Sequence, residues 1–531
     1  MATRFPSRRS VVMGFGGMAA TSQPLAALAG LRMLLTGGNA ADAAVACAAT
    51  LNVVEPMSTG MGGDAFALIY LASERKVYAL NASGRSACAA TVEEFQRRGF
   101  TQVPGRGILS VTVPGAVAGW ADLVSRFGRL GLDQVLGPAI EYAECGFPVT
   151  EIVARAWASM ETLSERFPEA GRVYLPHGRP PRTGQRFTSR DLARSLRLVA
   201  ESGPDAFYKG PIARAIVETS DRHDGLLTTQ DLADHTSTWV EPIHTDYRGH
   251  RVYECPPNGQ GIAALIALSI LGGYDIGALG FDSADGLHLK MEAVKLGMTD
   301  ARRYVADPEL VDVPVEDLLS PAYADQRRAE ISMGRAISEP RPGRLPSGGD
   351  TVYLCTADAE GNAVSFINSL YSGFGSGIVA AGTGIMLQNR GSLFELDPEH
   401  PNCIAPGKRP YHTIIPCMVT RGDALAICFG VMGGFMQPQG HVQVLCNILD
   451  HGMNVQQALD APRFCHEGGN QFRIQGLFPS AICDALRERG HALTVTEGVG
   501  YGGAQVIMLD PESGALLGGS DPYKDGCALA M

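Results

Sequence analysis

Ser347-Gly348-Gly349-Asp350-Thr351-Val352-Tyr353-Leu354-Cys355 joins a glycine-rich loop to a row of β-branched, aromatic and aliphatic residues, with a hydroxyl side chain at the junction. Glycine and short polar residues interrupt regular structure, whereas the run from Thr351 to Ala357 has strand composition. Asp358-Ala359-Glu360-Gly361-Asn362 supplies a turn and Ala363 to Tyr371 a second strand. The spacing therefore predicts a hairpin whose first strand begins at Thr351. The preceding residues, 339–350, are dense in proline and glycine and read as an exposed, mobile connector. Taken alone, Thr351 is a β-branched residue at a strand edge.

Before the connector the pattern is mainly helical. Ser22 is the expected cap of a helix with Pro24 in its first turn, apolar Leu25, Leu28, Leu31 and Leu35, and Gly37 past its end. Asn39 to Val54 has an alanine surface with almost no polar face, which predicts a helix packed between layers. The loop MSTGMGGD then leads to Ala65–Leu71, a continuous apolar strand of the buried kind. Residues 120–335 read as mostly helical, with clear helices in LDQVLGPAIEYAECG, DLARSLRLVAESG, GIAALIALSIL and DGLHLKMEAVKLGMTDARRYVAD. After the hairpin, strands are expected at 414–420 and 424–431. A Met432-Gly433-Gly434 turn, a helix HVQVLCNILDHG and a strand-rich ending that closes the sheet follow.

Charge excludes some functions. With 44 Lys and Arg against 55 Asp and Glu, the net charge is −11, and no basic stripe tracks along the chain. Nucleic acid and anionic membrane are poor partners for such a surface. The 12 cysteines are scattered, without CxxC or zinc-type spacing, and most lie in apolar runs, so they read as reduced core residues of a cytoplasmic protein, with no metal and no cofactor expected. The paired arginines at Arg8 and Arg9 precede an apolar stretch that is short and glycine-broken, unlike an export signal. The same stretch, SVVMGFGGMA, outlines a dinucleotide fingerprint, but the place for the second strand and its acid holds TGGNAAD, a helix stop and restart.

Eight stretches occur in one order: GGNAADAAVA, EPMSTGMGGDAFALIY, VPGAVAGW, MEAVKLGMTDARRYVADPELVDVPVEDLLS, GGDTVYLCTADAEGNAVSF, FGSGIV, GKRP and MGG. Together they resemble the γ-glutamyltransferase family from about residue 8 to the end. The resemblance implies an N-terminal-nucleophile hydrolase with an α+β fold, a four-layer αββα sandwich, made as a proenzyme. It implies cleavage between Asp350 and Thr351 into a large subunit, 1–350, and a small subunit, 351–531, that share one core. Thr351 would then be the nucleophile, and its freed α-amine, with an ordinary pKa near ~8, the adjacent base. Gly433 and Gly434 occupy the place of the family's oxyanion-binding pair, and Ser369 that of a threonine that hydrogen-bonds the nucleophile.

The substrate contacts depart from the family. The arginine that holds a glutamyl α-carboxylate aligns with Ser83, with Arg85 two residues on. Leu393 stands where the family has an aspartate for the α-amino group, His412-Thr413 replace paired serines, and Tyr371 replaces an asparagine. Arg390 is new in this segment, and its planar fork suits a small carboxylate. The pattern SFINSLY, FGSG, LQNRG, RPYHT and MGGFMQPQ resembles the oxamate amidohydrolase branch of the family. Its implied partner is a small carboxylate-bearing amide, best oxamate, which carries no amino group. The alternative is glutathione or another γ-glutamyl amide held through Arg85, and a third reading is an uncut relative that only binds. The sequence leaves open whether processed units pair further.

Overall fold

Ala40–Val54 is buried along its whole length, and this computed structural model explains why: the helix lies beneath a sheet on one side and other helices on the other. The structure describes residues 9–340, 350–498 and 500–531, with Asp350 and Thr351 described by backbone alone. Asn39 caps the helix, accepting from the N–H groups of Ala41 and Asp42, while Asp42 returns a bond to the Asn39 N–H. Small side chains let the neighbouring helix, Pro24–Leu35, come very close: a Cβ on Gly30 would lie 2.4 Å from Cys47 Sγ. That neighbour is capped by Gln23 and not, as expected, by Ser22, because the Ser22 hydroxyl is taken by Glu55 at 2.5 Å.

The front sheet has seven antiparallel strands in the spatial order Cys527–Ala530, Gly17–Thr21, Asp350–Asp358, Ala363–Tyr371, Asp64–Leu71, Lys76–Ala82 and Thr238–Val240. The rear sheet also has seven: Val12–Gly14, Leu516–Ser520, Gly503–Leu509, Ala424–Met432, Cys417–Arg421, His250–Glu254 and Ile243–Tyr247. Side-chain alternation divides the hairpin's first strand between two cores. Val352 and Leu354 join the front helices, whereas Tyr353 and Cys355 pack with Phe66, Met418 and Cys428 between the sheets. The rear sheet's other face packs on helices Gly261–Leu271, Ala284–Tyr304 and Met436–Leu445. Helices, sheet, sheet and helices thus stack as a four-layer αββα sandwich of the α+β class.

The fingerprint-like segment, set aside in the sequence, is placed by the fold, and two expectations are corrected. The glycine-rich opening segment, SVVMGFGGMA, contributes Val12–Gly14 to one sheet and Gly17–Thr21 to the other, so no dinucleotide-type strand and helix form there. Strands between Thr238 and Glu254 lie inside the segment expected to be mostly helical. The strand Ala492–Thr496 does not close a main sheet but joins Gln471–Gln475 and Phe464–Gly468 in a small separate sheet. Most of the expected connector, 341–349, lies outside the described residues. Among the described residues no helix is long and apolar enough to cross a membrane.

Candidate active site

The strand carrying Asp350 and Thr351 does not pair evenly with its neighbour. Asp350 faces Tyr371 and Val352 faces Asn368, so the register shifts across Thr351. Such a bulge bends the strand and re-aims local groups, and bulges concentrate beside active sites. Opposite it, Ser369 is buried, and its Oγ accepts the Tyr371 N–H at 2.8 Å. Tyr371 itself has a positive φ of 79°, and its side chain is buried. The side chains of Asp350 and Thr351 are outside the described residues.

A buried polar floor lies beside this corner. Asp64 opens its strand, and its Oδ1 accepts the N–H groups of Gly84 at 3.0 Å and Gly115 at 3.1 Å. Its Oδ2 accepts from Gln388 Nε2 and lies 3.1 Å from His412 Nε2. Because His412 Nδ1 accepts the Ile414 N–H, the Nε2 carries the proton and donates to Asp64. Burial drives the His412 pKa well below its ordinary range, helped by the positive charges of Arg390 and Arg409, so the imidazole is neutral. Burial raises Asp64 to about 6 despite Arg390 and the two backbone donors.

Arg390 is completely buried. Its Nη1 donates to Thr413 Oγ1 at 2.6 Å, and its guanidinium carbon sits 4.6 Å from the Tyr371 ring centroid. Nε and Nη2 have no acceptor among the described residues. Burial pulls its pKa down to about 10, with Asp64 opposing, so it stays charged near neutrality. A buried cation with unused N–H groups is costly unless an anion joins it.

The glycine turn completes the arrangement. Gly433 and Gly434 have φ of 122° and 58°, a region that favours glycine, and a Cβ on Gly433 would meet Gly502 Cα at 3.1 Å. Their carbonyls are used: Gly433 O accepts from Met436 N–H, and Gly434 O from Gln437 N–H and Gln260 Nε2. Among the described residues, their own N–H groups donate to nothing. Gln260 also donates to Thr413 O at 2.7 Å. A continuous path therefore runs from the glycine turn through Gln260, Thr413 and Arg390 to Tyr371, the strand partner of Asp350.

The remaining residues singled out in the sequence fall elsewhere. The Ser83 hydroxyl donates to Asn81 Oδ1 at 2.7 Å and accepts from Asn258. Arg85 gives Nη2 to both carboxylate oxygens of Glu309, at 3.1 and 2.9 Å, and Arg409 binds the same carboxylate. Leu393 packs toward the rear core. Asp64, Gln260 and Gln388 were not singled out as site residues, although Asp64 ends the MGGD stretch where a loop enters a buried strand.

Two buried triads away from this corner bring potential metal ligands together, Glu254/Cys417/His441 and His288/Glu292/His491. In the first, both His441 nitrogens are used, Nδ1 against Glu254 at 2.6 Å and Nε2 accepting from Val431 N–H. In the second, His288 bonds His491 and Ser332 O, and Glu292 holds Lys295 and Ile337 N–H. Glu254 Oε2 and His491 Nδ1 have no hydrogen-bond partner among the described residues.

Comparison with known proteins matches residues 26–531 to the gamma-glutamyltranspeptidase family. A Bacillus subtilis (strain 168) protein named glutathione hydrolase-like YwrD proenzyme is 40% identical over 528 residues, spanning 98% of this chain and 99% of the relative. The oxamate amidohydrolase proenzyme of Klebsiella pneumoniae (strain ATCC 700721 / MGH 78578) is 36% identical, spanning 96% of this chain and 98% of its own. Among solved structures, the cephalosporin acylase of Bacillus halodurans superimposes with a TM-score of 0.95 at 47% identity, covering 100% of this chain and 98% of that one.

Proposed function

The chain belongs to the γ-glutamyltransferase family of N-terminal-nucleophile enzymes, and on that premise we propose that it is a self-cleaving threonine amidohydrolase acting on a small carboxylate-bearing amide, with oxamate the best candidate. Processing starts when the Thr351 hydroxyl attacks the Asp350 carbonyl. The peptide C–N bond breaks as the new ester forms, and water hydrolyses that ester. The Asp350 carboxylate and the Thr351 α-amine are then free, giving subunits 1–350 and 351–531 of one sandwich. The register shift across Thr351 supports this reading, since it sets the bond apart from the regular ladder.

In turnover the α-amine takes the hydroxyl proton as Oγ attacks the substrate amide carbon, and passes it to the departing nitrogen. The oxyanion is held by the N–H groups of Gly433 and Gly434, which have no other acceptor among the described residues. Ser369 and its Tyr371 bond steady the opposite strand, and Thr413 fixes the Arg390 fork. With oxamate, ammonia leaves in the first step and water then releases oxalate from the Thr351 ester. We place the enzyme in the cytoplasm, a reading its twelve unpaired cysteines support.

The observation that carries the substrate class is Arg390, buried, charged and with two nitrogens that have no acceptor among the described residues, beside the cleavage corner. A γ-glutamyl head would need an α-carboxylate partner and an α-amino partner. Ser83 is engaged within the protein, the Arg85 fork is held by Glu309, and Leu393 offers no acceptor. Ammonia release from oxamate, measured beside amine release from a γ-glutamyl anilide, tests the assignment. Turnover of the anilide alone would shift it to the γ-glutamyl reading.

A further inference from the structure

Arg302 sits near the end of the helix Ala284–Tyr304, where a charged residue usually faces water. Here all three guanidinium nitrogens are buried, and none has a hydrogen-bond partner among the described residues. The guanidinium carbon lies 4.8 Å from the ring centroid of Phe435, the residue directly after the Gly433-Gly434 turn. Phe435 in turn packs on Tyr411 with ring centroids 6.0 Å apart. The charge of Arg302 acts on the hydroxyls of Tyr411 and Tyr371, and Tyr371 is the ring on which Arg390 stacks.

Two guanidiniums with N–H groups that have no partner among the described residues thus flank the glycine turn and the cleavage corner, Arg302 against Phe435 and Arg390 against Tyr371. An aromatic face stabilises a cation by a modest amount and satisfies none of its N–H groups, so the desolvation of Arg302 is left largely uncompensated. An ionic group arriving with the substrate would compensate it.

We propose, building on the threonine amidohydrolase reading, that Arg302 is a second anion-binding residue of the substrate pocket and that the preferred substrate is a dianionic amide, with one carboxylate for Arg390 and another for Arg302. Oxamate carries only one carboxylate. N-oxalylglycine keeps the same oxalyl group and adds a second carboxylate on the amine; its hydrolysis consumes water and yields oxalate and glycine.

The test compares oxamate and N-oxalylglycine as substrates of the processed enzyme and, by calorimetry, as ligands, for the wild type, Arg302→Gln and Arg302→Lys. The wild type should favour N-oxalylglycine, and Arg302→Gln should reduce the ratio of its kcat/KM to that of oxamate by about 10- to 100-fold, the effect of losing hydrogen bonds to a charged group. The loss should fall mainly on KM, and Arg302→Lys should restore part of it. Equal loss for both compounds would overturn the proposal by showing that the two arginines share one carboxylate, and no loss for either would make Arg302 a structural cation. If neither compound is hydrolysed although the chain is cut at Thr351, the substrate assignment fails by itself. Calorimetry then decides the second site: a preference for N-oxalylglycine that Arg302→Gln abolishes supports it, and equal binding refutes it.

Discussion

Replacing Arg390 by methionine separates a cation kept for substrate from one kept for stability. The methionine fills much of the same volume without charge. It removes one hydrogen bond, Nη1 to Thr413 Oγ1 at 2.6 Å, and it removes the Nε and Nη2 donors that have no acceptor among the described residues. Replacing a buried ion by an apolar side chain of similar volume is often neutral or stabilising, so the melting temperature should hold or rise. Activity should move the other way. Two charge-assisted hydrogen bonds to a carboxylate, at about 2 kcal/mol each, give about 4 kcal/mol, close to a thousandfold in kcat/KM. The assays are ammonia release from oxamate, a thermal melt and a denaturing gel for the cleavage. A stable, processed variant with oxamate turnover close to that of the wild type would refute the assignment of Arg390 to the substrate carboxylate.

Two further perturbations probe the surroundings. Gly433→Ala places a side chain at a φ of 122° and 3.1 Å from Gly502 Cα, and should lower kcat by about 10²- to 10³-fold, the range for loss of an oxyanion donor, as read in single-turnover kinetics. Asp64, raised to about 6 from an ordinary value near ~3.9, holds its proton better in the folded state, so its contribution to stability is complete at low pH and is lost as pH rises through about 6. Over that window the change is about 3 kcal/mol, and subtracting urea midpoints of Asp64→Asn from the wild type at each pH should reveal it. The neutral His412 acts in the opposite sense, losing stability as pH falls through the unfolded value near ~6.5. A wild-type minus variant difference that does not vary between pH 4 and 7 would contradict the buried-carboxylate description.

How far the sequence reaches depends on whether a signal is local. The hairpin from Asp350 to Tyr371 was legible because strand composition and turn residues adjoin, and the buried helix after Asn39 because its alanine surface leaves almost no polar face. The strands between Thr238 and Glu254 were missed because they are short and only partly buried, within helical surroundings. Ser22 was an unremarkable cap candidate until Glu55, far along the chain, claimed its hydroxyl. The site divides in the same way. Arg390 and Thr413 could be named from motif positions, but their direct bond could not, since 22 residues intervene between them. Gln260 precedes one helix and Arg302 lies near the end of another, in patterns that explain them as ordinary residues, and only the packing of the rear layer brings them against the glycine turn and Phe435.

On the proposed mechanism, Thr351 is both the processing site and the nucleophile. Intact mass and amino-terminal sequencing of the purified protein after long incubation test it directly, with Thr351→Ala run in parallel. The wild type should yield a small fragment that begins at Thr351 and ends at Met531, and the variant should remain one uncut, inactive chain. A wild-type chain that stays whole, or a variant that still splits at this bond, would contradict it.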